Sequence, residues 1–207
     1  MIAQAITKYC SWSLQFCKKV VRYLASTWDQ GLLYPWTSDM DVVGSLVSWS
    51  DASFAGMSTK SQTGVLIAWD GAIVLWRSSR QASSALSTCE AEVAAAATSW
   101  QLVEGLRALL LEWNLDIPKP ILLVDNKSAL KVSELGGTWR TRYFAIRAAR
   151  LQEESAAEAI SMRYCPTGDM MADALTKNAG AAVLQLLRDC CHGHLPKIPD
   201  TRQSFRE

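Results

Sequence analysis

The sequence predicts a mixed α/β sheet with helices packed on it. Two observations carry this. Between residues 47 and 78 the chain holds three strand-like runs joined by short turns, the pattern of an antiparallel meander. Beyond residue 86 the apolar spacing changes to helical period, and helices then alternate with two further short apolar runs.

The elements follow in order. Residues 2–28 read as a helix, with Leu14, Cys17, Val21 and Leu24 on one stripe and Lys18, Lys19 and Arg22 on other faces. Gly31 supplies a stop, and "LLYPW" and the polar "TSDMD" lead to the first strand. There Val47 and Trp49 alternate with Ser48 and Ser50, so Asp51 ends the apolar face of the strand. "TGVLIAW" and "AIVLWRS" are the next two strands, joined by an Asp70-Gly71 hairpin. A long helix covers "LSTCEAEVAAAATSWQLVEGLRALLLEW", with Val93, Ala96, Trp100, Val103, Leu106 and Leu110 on one face. Ser87 and Glu90 form a capping box at its start.

"PILLVDN" reads as a buried strand bounded by Pro120 and ending in Asp125. "KSALKVSEL", a Gly136-Gly137 break and "RTRYFAIRAARLQEES" give two more helices. "AISMRYCP" is the last strand, and a final helical region opens near "GDMMADALTK". The closing "HLPKIPDTRQSFRE" is polar and contains proline, the signature of a mobile tail.

The 207 residues are 49% hydrophobic and 20% charged, enough for one buried core with extensions. A net charge of +1 excludes a strongly basic coat, so any nucleic-acid contact must come from local patches. No apolar run approaches the ~18 residues of a membrane span, and no membrane contact is expected. The six cysteines form no CxxC pair and no secretory signal is read before them. Reduced thiols and an intracellular address, cytoplasm or nucleus, are therefore expected.

A lone Asp at a strand end is ordinarily a turn-former. Here three other acids answer it: Asp125 after the fourth strand, Glu92 in the first turns of the long helix, and Asp173 in the final helical region. If the sheet turns parallel after the meander, strands one and four are neighbours and their carboxyl ends share a cleft. Carboxylates gathered in one cleft do not all ionise unless a cation supplies the opposite charge. A set of acids without His or Cys suits Mg²⁺ or Mn²⁺ rather than zinc. Two such ions ~3.5–4 Å apart activate water and stabilise the leaving oxygen in phosphodiester cleavage.

Several blocks occur in order between about Ser45 and Lys177: S-D-A, W-x-S-x-x-Q, S-T-x-E-A-E, D-N-x-S-A and A-D-x-L-T-K. On these blocks the chain resembles the ribonuclease H domain of copia-type retrotransposon (reverse transcriptase) polyproteins. The resemblance implies a ribonuclease H-like α/β fold, a five-stranded mixed sheet of three antiparallel strands then parallel strands, flanked by helices. It implies an endonuclease that hydrolyses the RNA strand of RNA–DNA hybrids with two Mg²⁺ (or Mn²⁺) ions, leaving a 5′-phosphate and a 3′-hydroxyl.

Carried over by motif, the catalytic and metal-binding acids are Asp51, Glu92, Asp125 and Asp173. Glu90 competes with Glu92; Glu92 is preferred because the capping box occupies Glu90 and "VAAA" follows Glu92 as in the family. Arg77, Arg80, Arg140 and Arg142 are candidate phosphate contacts, and Asn126 a candidate minor-groove donor. Residues 15–34 resemble the segment that joins reverse transcriptase to this domain. The expected layout is therefore a helical connection over 1–42, the ribonuclease H-like domain over 43–178, and a C-terminal helix and tail over 179–207. The N-terminal helix is expected to meet a reverse transcriptase domain or a second copy of the chain. No Y-x-D-D polymerase motif occurs.

The chain departs from the family in two places. Arg142, Tyr143, Phe144 and Ala145 stand where many copia-type domains carry K-H-I-D. Thr167-Gly168 occupies the region of the flexible His of cellular ribonucleases H. The rival reading is an inactive module from the same element that binds nucleic acid or serves assembly. Cys190, Cys191, His192 and His194 are crowded too closely in sequence for a common zinc site and read as a helix end with incidental thiols. The tryptophans, Trp28, Trp49, Trp69, Trp76, Trp100 and Trp113 among them, read as packing residues.

Overall fold

The computed structural model describes residues 11–34, 44–55, 60–135, 144–194, 196, 198 and 199. The chain divides into two compact units, Met1–Leu32 and Leu33–Glu207; the expected boundary near residue 43 lies outside the described residues. The first unit contains helix α1 (Ser11–Ser26). Residues 2–10 of the expected helix lie outside the described residues. The helix ends where the hydroxyls of Ser26 and Thr27 both turn back to the Tyr23 carbonyl. Leu14, Val21 and Leu24 of its apolar stripe are exposed.

In the second unit three strands form the meander: β1 (Leu46–Ser53), β2 (Gln62–Trp69) and β3 (Ala72–Arg80). The turn after β2 uses Asp70 (φ 49°) and Gly71 (φ 82°), both left-handed, which matches the twist of a tight hairpin. Asp70 also accepts a hydrogen bond from the Gly44 amide at 3.1 Å, tying the turn to the entry of β1. Helix α2 (Thr88–Glu112) follows, then β4 (Ile121–Val124), α3 (Lys127–Leu135), α4 (Ala145–Ala156) and β5 (Ser161–Tyr164). A 3₁₀ turn (Thr167–Asp169), the four-residue α5 (Asp173–Thr176) and α6 (Ala181–Cys191) complete the described elements.

The strand order is β3-β2-β1-β4-β5. β1 pairs with β2 and β2 with β3 antiparallel, whereas β4 runs parallel to both β1 and β5. This is the five-stranded mixed sheet of the ribonuclease H-like fold, as expected. One detail differs: Asp51 does not end β1, because its pairing with β2 continues through Ala52 and Ser53.

Alternate residues of the sheet feed two cores. Leu46, Val65, Ile67, Leu122 and Val124 pack under α2, α3 and α4 with Val93, Trp100, Leu130 and Leu151. Phe144 joins this core at the apolar third position of K-H-I-D, while Ala145, at its acidic fourth position, is exposed. On the opposite face Val47, Trp49, Leu66 and Leu123 pack with Met170, Met171, Ala172 and Cys190. The sequence is corrected at two points here. The closing segment is not wholly loose, since Ile198 packs against this second core and the Pro199 carbonyl accepts from Arg163 Nη1 at 3.0 Å. Trp49 and Trp100 are buried as expected, but Trp28, Trp76 and Trp113 are exposed.

Gly64 fixes how closely α5 approaches the sheet. It pairs with Asp51 across β1 and β2. A Cβ there would stand 2.7 Å from Thr176 Cγ2 and 2.8 Å from the Ala172 carbonyl oxygen. Ser78, across β3, donates to the Leu175 carbonyl at 2.6 Å and holds the same helix. Gly64→Ala is therefore expected to push α5 off the sheet and lower stability by about 1–3 kcal/mol, measured by urea unfolding.

Candidate metal centre

Asp51, Asp125 and Asp173 each offer a carboxylate oxygen, and these oxygens lie within 4.8 Å of one another. They arrive from three elements: inside β1, just after β4, and at the start of α5. The parallel pairing of β1 with β4 places Ser50 opposite Val124, so the residues that follow, Asp51 and Asp125, emerge side by side. Asp173 is brought in by the fully buried Met170, Met171 and Ala172, which anchor the turn before it.

Glu92 lines the same open cleft of about 490 Å³, together with Asp51, Asp125, Asn126, Thr167 and Lys177. Its approach depends on small side chains, since Ala52, Ala85, Ala91 and Ala95 cluster where α2 crosses β1. The Ala52 amide donates to the Glu92 carboxylate, while Glu92 Oε2 is buried with no hydrogen-bond partner among the described residues. Glu90 is occupied elsewhere: its Oε2 accepts from the Leu86 amide at 2.8 Å, and Ser87 Oγ accepts from the Glu90 amide. The structure thus brings Glu92 to the cleft and leaves Glu90 in the helix cap.

Burial and mutual repulsion act on these acids together. Burial, opposed by the Thr176 hydrogen bond and by Lys177, pushes Asp51 up to about 6. Burial, and then the charges of Asp51 and Asp125, pushes Glu92 up to about 9. Asp125 is also raised, first by burial and then by Asp173. Three carboxylate oxygens within 4.8 Å of one another are near enough that Asp51, Asp125 and Asp173 could hold one hard divalent cation together. An all-oxygen donor set with an orphaned buried carboxylate oxygen fits a hard divalent ion.

The nucleic-acid candidates are dispersed. Asn126 is in the cleft, and its Oδ1 caps α3 by accepting from the Ser128 and Ala129 amides. Arg77 and Arg80 are exposed on the edge strand β3, and neither lines the cleft. Arg140 and Arg142 lie outside the described residues. Cys190 is buried in the second core, and the aspartate trio is the one group of three or more potential ligands converging among the described residues.

Three residues to which the sequence assigns no role at the acids stand beside them, Thr167 being marked there only by the region it occupies. Thr176 donates to Asp51 Oδ2 through a short hydrogen bond, and Lys177 forms ion pairs with Asp173 and Asp51. Thr167 Oγ1 donates to Asp125 Oδ2 at 3.4 Å. The first two were visible as the T-K of A-D-x-L-T-K, one helical turn after Asp173.

No family model matches the chain. The Transposon Ty1-ER2 and Ty1-MR2 Gag-Pol polyproteins of Saccharomyces cerevisiae are each 29% identical over 180 residues, covering 84% of this chain. In sequence, the chain is similar to these Ty1 Gag-Pol polyproteins. It spans 10% of the length of each of these two. Solved structures similar to this chain include RNase H1 from Halobacterium salinarum (16% identity, TM-score 0.49, 64% of this chain and 94% of that one). The N-terminal RNase H domain of rv2228c from Mycobacterium tuberculosis, solved as a maltose-binding-protein fusion, is another (13%, TM-score 0.48, 68% and 96%).

The raised carboxyls set a pH dependence for the metal-free protein. Their folded pKa values lie above the ordinary 3.8 of Asp51 and 4.5 of Glu92. The stabilisation from protonated Asp51 and Glu92 is thus complete below those values and lost as pH rises through about 6 and about 9. In EDTA, Glu92→Gln is expected to match wild-type stability near pH 4 and to exceed it increasingly as pH rises from the ordinary 4.5 to about 9, above which the gap is constant. Urea unfolding across this pH range makes the comparison.

Proposed function

We propose that the chain is the ribonuclease H domain of a copia-type retrotransposon polyprotein, a metal-dependent endoribonuclease acting on the RNA strand of RNA–DNA hybrids. The observation that carries this reading is the convergence of three aspartate carboxylates from three separate elements, with Glu92 beside them. Asp51, Glu92, Asp125 and Asp173 hold the cations. When bound, two Mg²⁺ or Mn²⁺ ions supply a nucleophilic water at neutral pH and offset the charge that develops on the leaving oxygen.

The chain's own residues prepare for this. Glu92 stays protonated in the metal-free cleft at neutral pH and gives up that proton when positive charge arrives. Thr176 and Thr167 orient Asp51 and Asp125 through their hydroxyls. Asn126 Nδ2 donates toward the minor groove of a hybrid, where the 2′-hydroxyl distinguishes RNA from DNA. Arg77, Arg80, Arg140 and Arg142 contact phosphates, fixing position rather than sequence. Water attacks phosphorus, the bond to the 3′-oxygen breaks, and the products are a 5′-phosphate and a 3′-hydroxyl.

In the longer polyprotein, residues 1–42 form the connection from a reverse transcriptase domain, and the exposed stripe of α1 meets that domain or a second copy. Residues 43–178 form the nuclease domain, followed by the C-terminal helix and tail, and the protein works inside the cell.

Labelled RNA–DNA hybrid, duplex RNA and duplex DNA, each with Mg²⁺, Mn²⁺ or EDTA, test the reading. Cleavage is expected only in the RNA strand of the hybrid, only with metal, and reduced roughly a hundredfold or more in Asp51→Asn and Asp125→Asn. Near-normal cleavage by either variant overturns the assignment of these acids. Hybrid binding by wild type without cleavage favours the inactive module.

A further inference from the structure

Lys177 stands among the acids that this reading assigns to cations. Its ammonium lies 2.9 Å from Asp173 Oδ1 and 3.9 Å from Asp51 Oδ1, two of the three carboxylates that converge. Its backbone is fixed, because its amide closes α5 on the Asp173 carbonyl at 3.0 Å. Its side chain is 44% exposed, so the charged end has a path into the open cleft.

We propose that Lys177 is the built-in counter-cation of this centre. It neutralises Asp51 and Asp173 in the metal-free protein and must be displaced before a divalent ion takes the same oxygens. Lys177 thereby sets the metal concentration at which the site fills. The proposal rests on the metal-centre reading.

The physical case is one of competition for the same negative charge. A divalent ion bonded to the Asp51 and Asp173 oxygens stands about 2.0–2.2 Å from them, within the reach the ammonium now occupies. Two cations that close repel strongly in a partly dehydrated cleft. The lysine is suited to yield. A single compact charge on a four-carbon stem swings aside by rotation, and the backbone bond that closes α5 is untouched. When it withdraws, the ammonium remains over the cleft beside any bound polyanion. When no ion is present, its removal leaves Asp51 and Asp173 facing each other with less compensation.

The test is calorimetric titration of Mn²⁺ into wild type, Lys177→Met, Lys177→Gln, Lys177→Arg and Asp51→Asn, with thermal unfolding of each in EDTA. Lys177→Met and Lys177→Gln are expected to bind Mn²⁺ roughly fivefold tighter, the factor matching a half-exposed ion pair, and to melt at lower temperature without metal. Lys177→Arg, which keeps the charge, should stay near wild type on both measures. A merely structural lysine would lower the melting temperature and leave Mn²⁺ affinity unchanged. Equal or weaker Mn²⁺ binding by both neutral variants, with binding still lost in Asp51→Asn, overturns the proposal and leaves the metal centre standing. Absence of Mn²⁺ binding to wild type overturns the metal centre and the proposal together.

Discussion

Like-charge repulsion among Asp51, Asp125 and Asp173 is the force that the second unit has to withstand. Carboxylate oxygens held within 4.8 Å of one another gain nothing by themselves, so every element that carries one must be held by something else. The restraints are local and can be named. Ser78 fastens α5 through the Leu175 carbonyl, and Gly64 leaves the space in which α5 sits. Gln81 Nε2 donates both to Thr63 Oγ1 and to the Ala91 carbonyl, joining β2 to the first turns of the helix that carries Glu92. The Glu90 and Ser87 cap then fixes where that helix begins. A helix of four residues has no stability of its own, so the position of Asp173 is entirely a product of this packing.

That division of labour reinterprets the motifs. In W-x-S-x-x-Q, Ser78 and Gln81 bear no chemistry; they are fasteners for the two helices that flank the cleft. In S-T-x-E-A-E the first glutamate serves the helix start and the second faces the cleft, two residues apart and on different sides of α2. In A-D-x-L-T-K the acid, the hydroxyl and the ammonium all meet at the same carboxylates.

Much of this was legible in the residues. Alternation of Val47 and Trp49 with Ser48 and Ser50 gave the face on which Asp51 stands, and the Ser87–Glu90 spacing separated the two glutamates. Asp51 reads as the end of β1 because an acid inside a paired strand looks like a terminator when its cross-strand partner, Gly64, lies far away in the chain. The tail reads as loose because nothing local announces that Arg163 reaches the Pro199 carbonyl. Trp76 looked like core by its hydrophobicity, yet it lies on the edge strand, where its face is only partly covered. Tertiary partners, absent from any short window of sequence, decided each of these cases.

The cleft also straddles the end of the sheet. Glu92 comes from the helix over one core, and Asp173 from the short helix over the other, with Asp51 and Asp125 on the strands between. Anything bound to all four acids would act as a clasp across both layers. Loosening either core would then release the clasp, and closing it would tighten both. Occupancy of the cleft and integrity of the whole second unit become a single equilibrium, so the ligand that fits there is at the same time part of the fold's own cohesion.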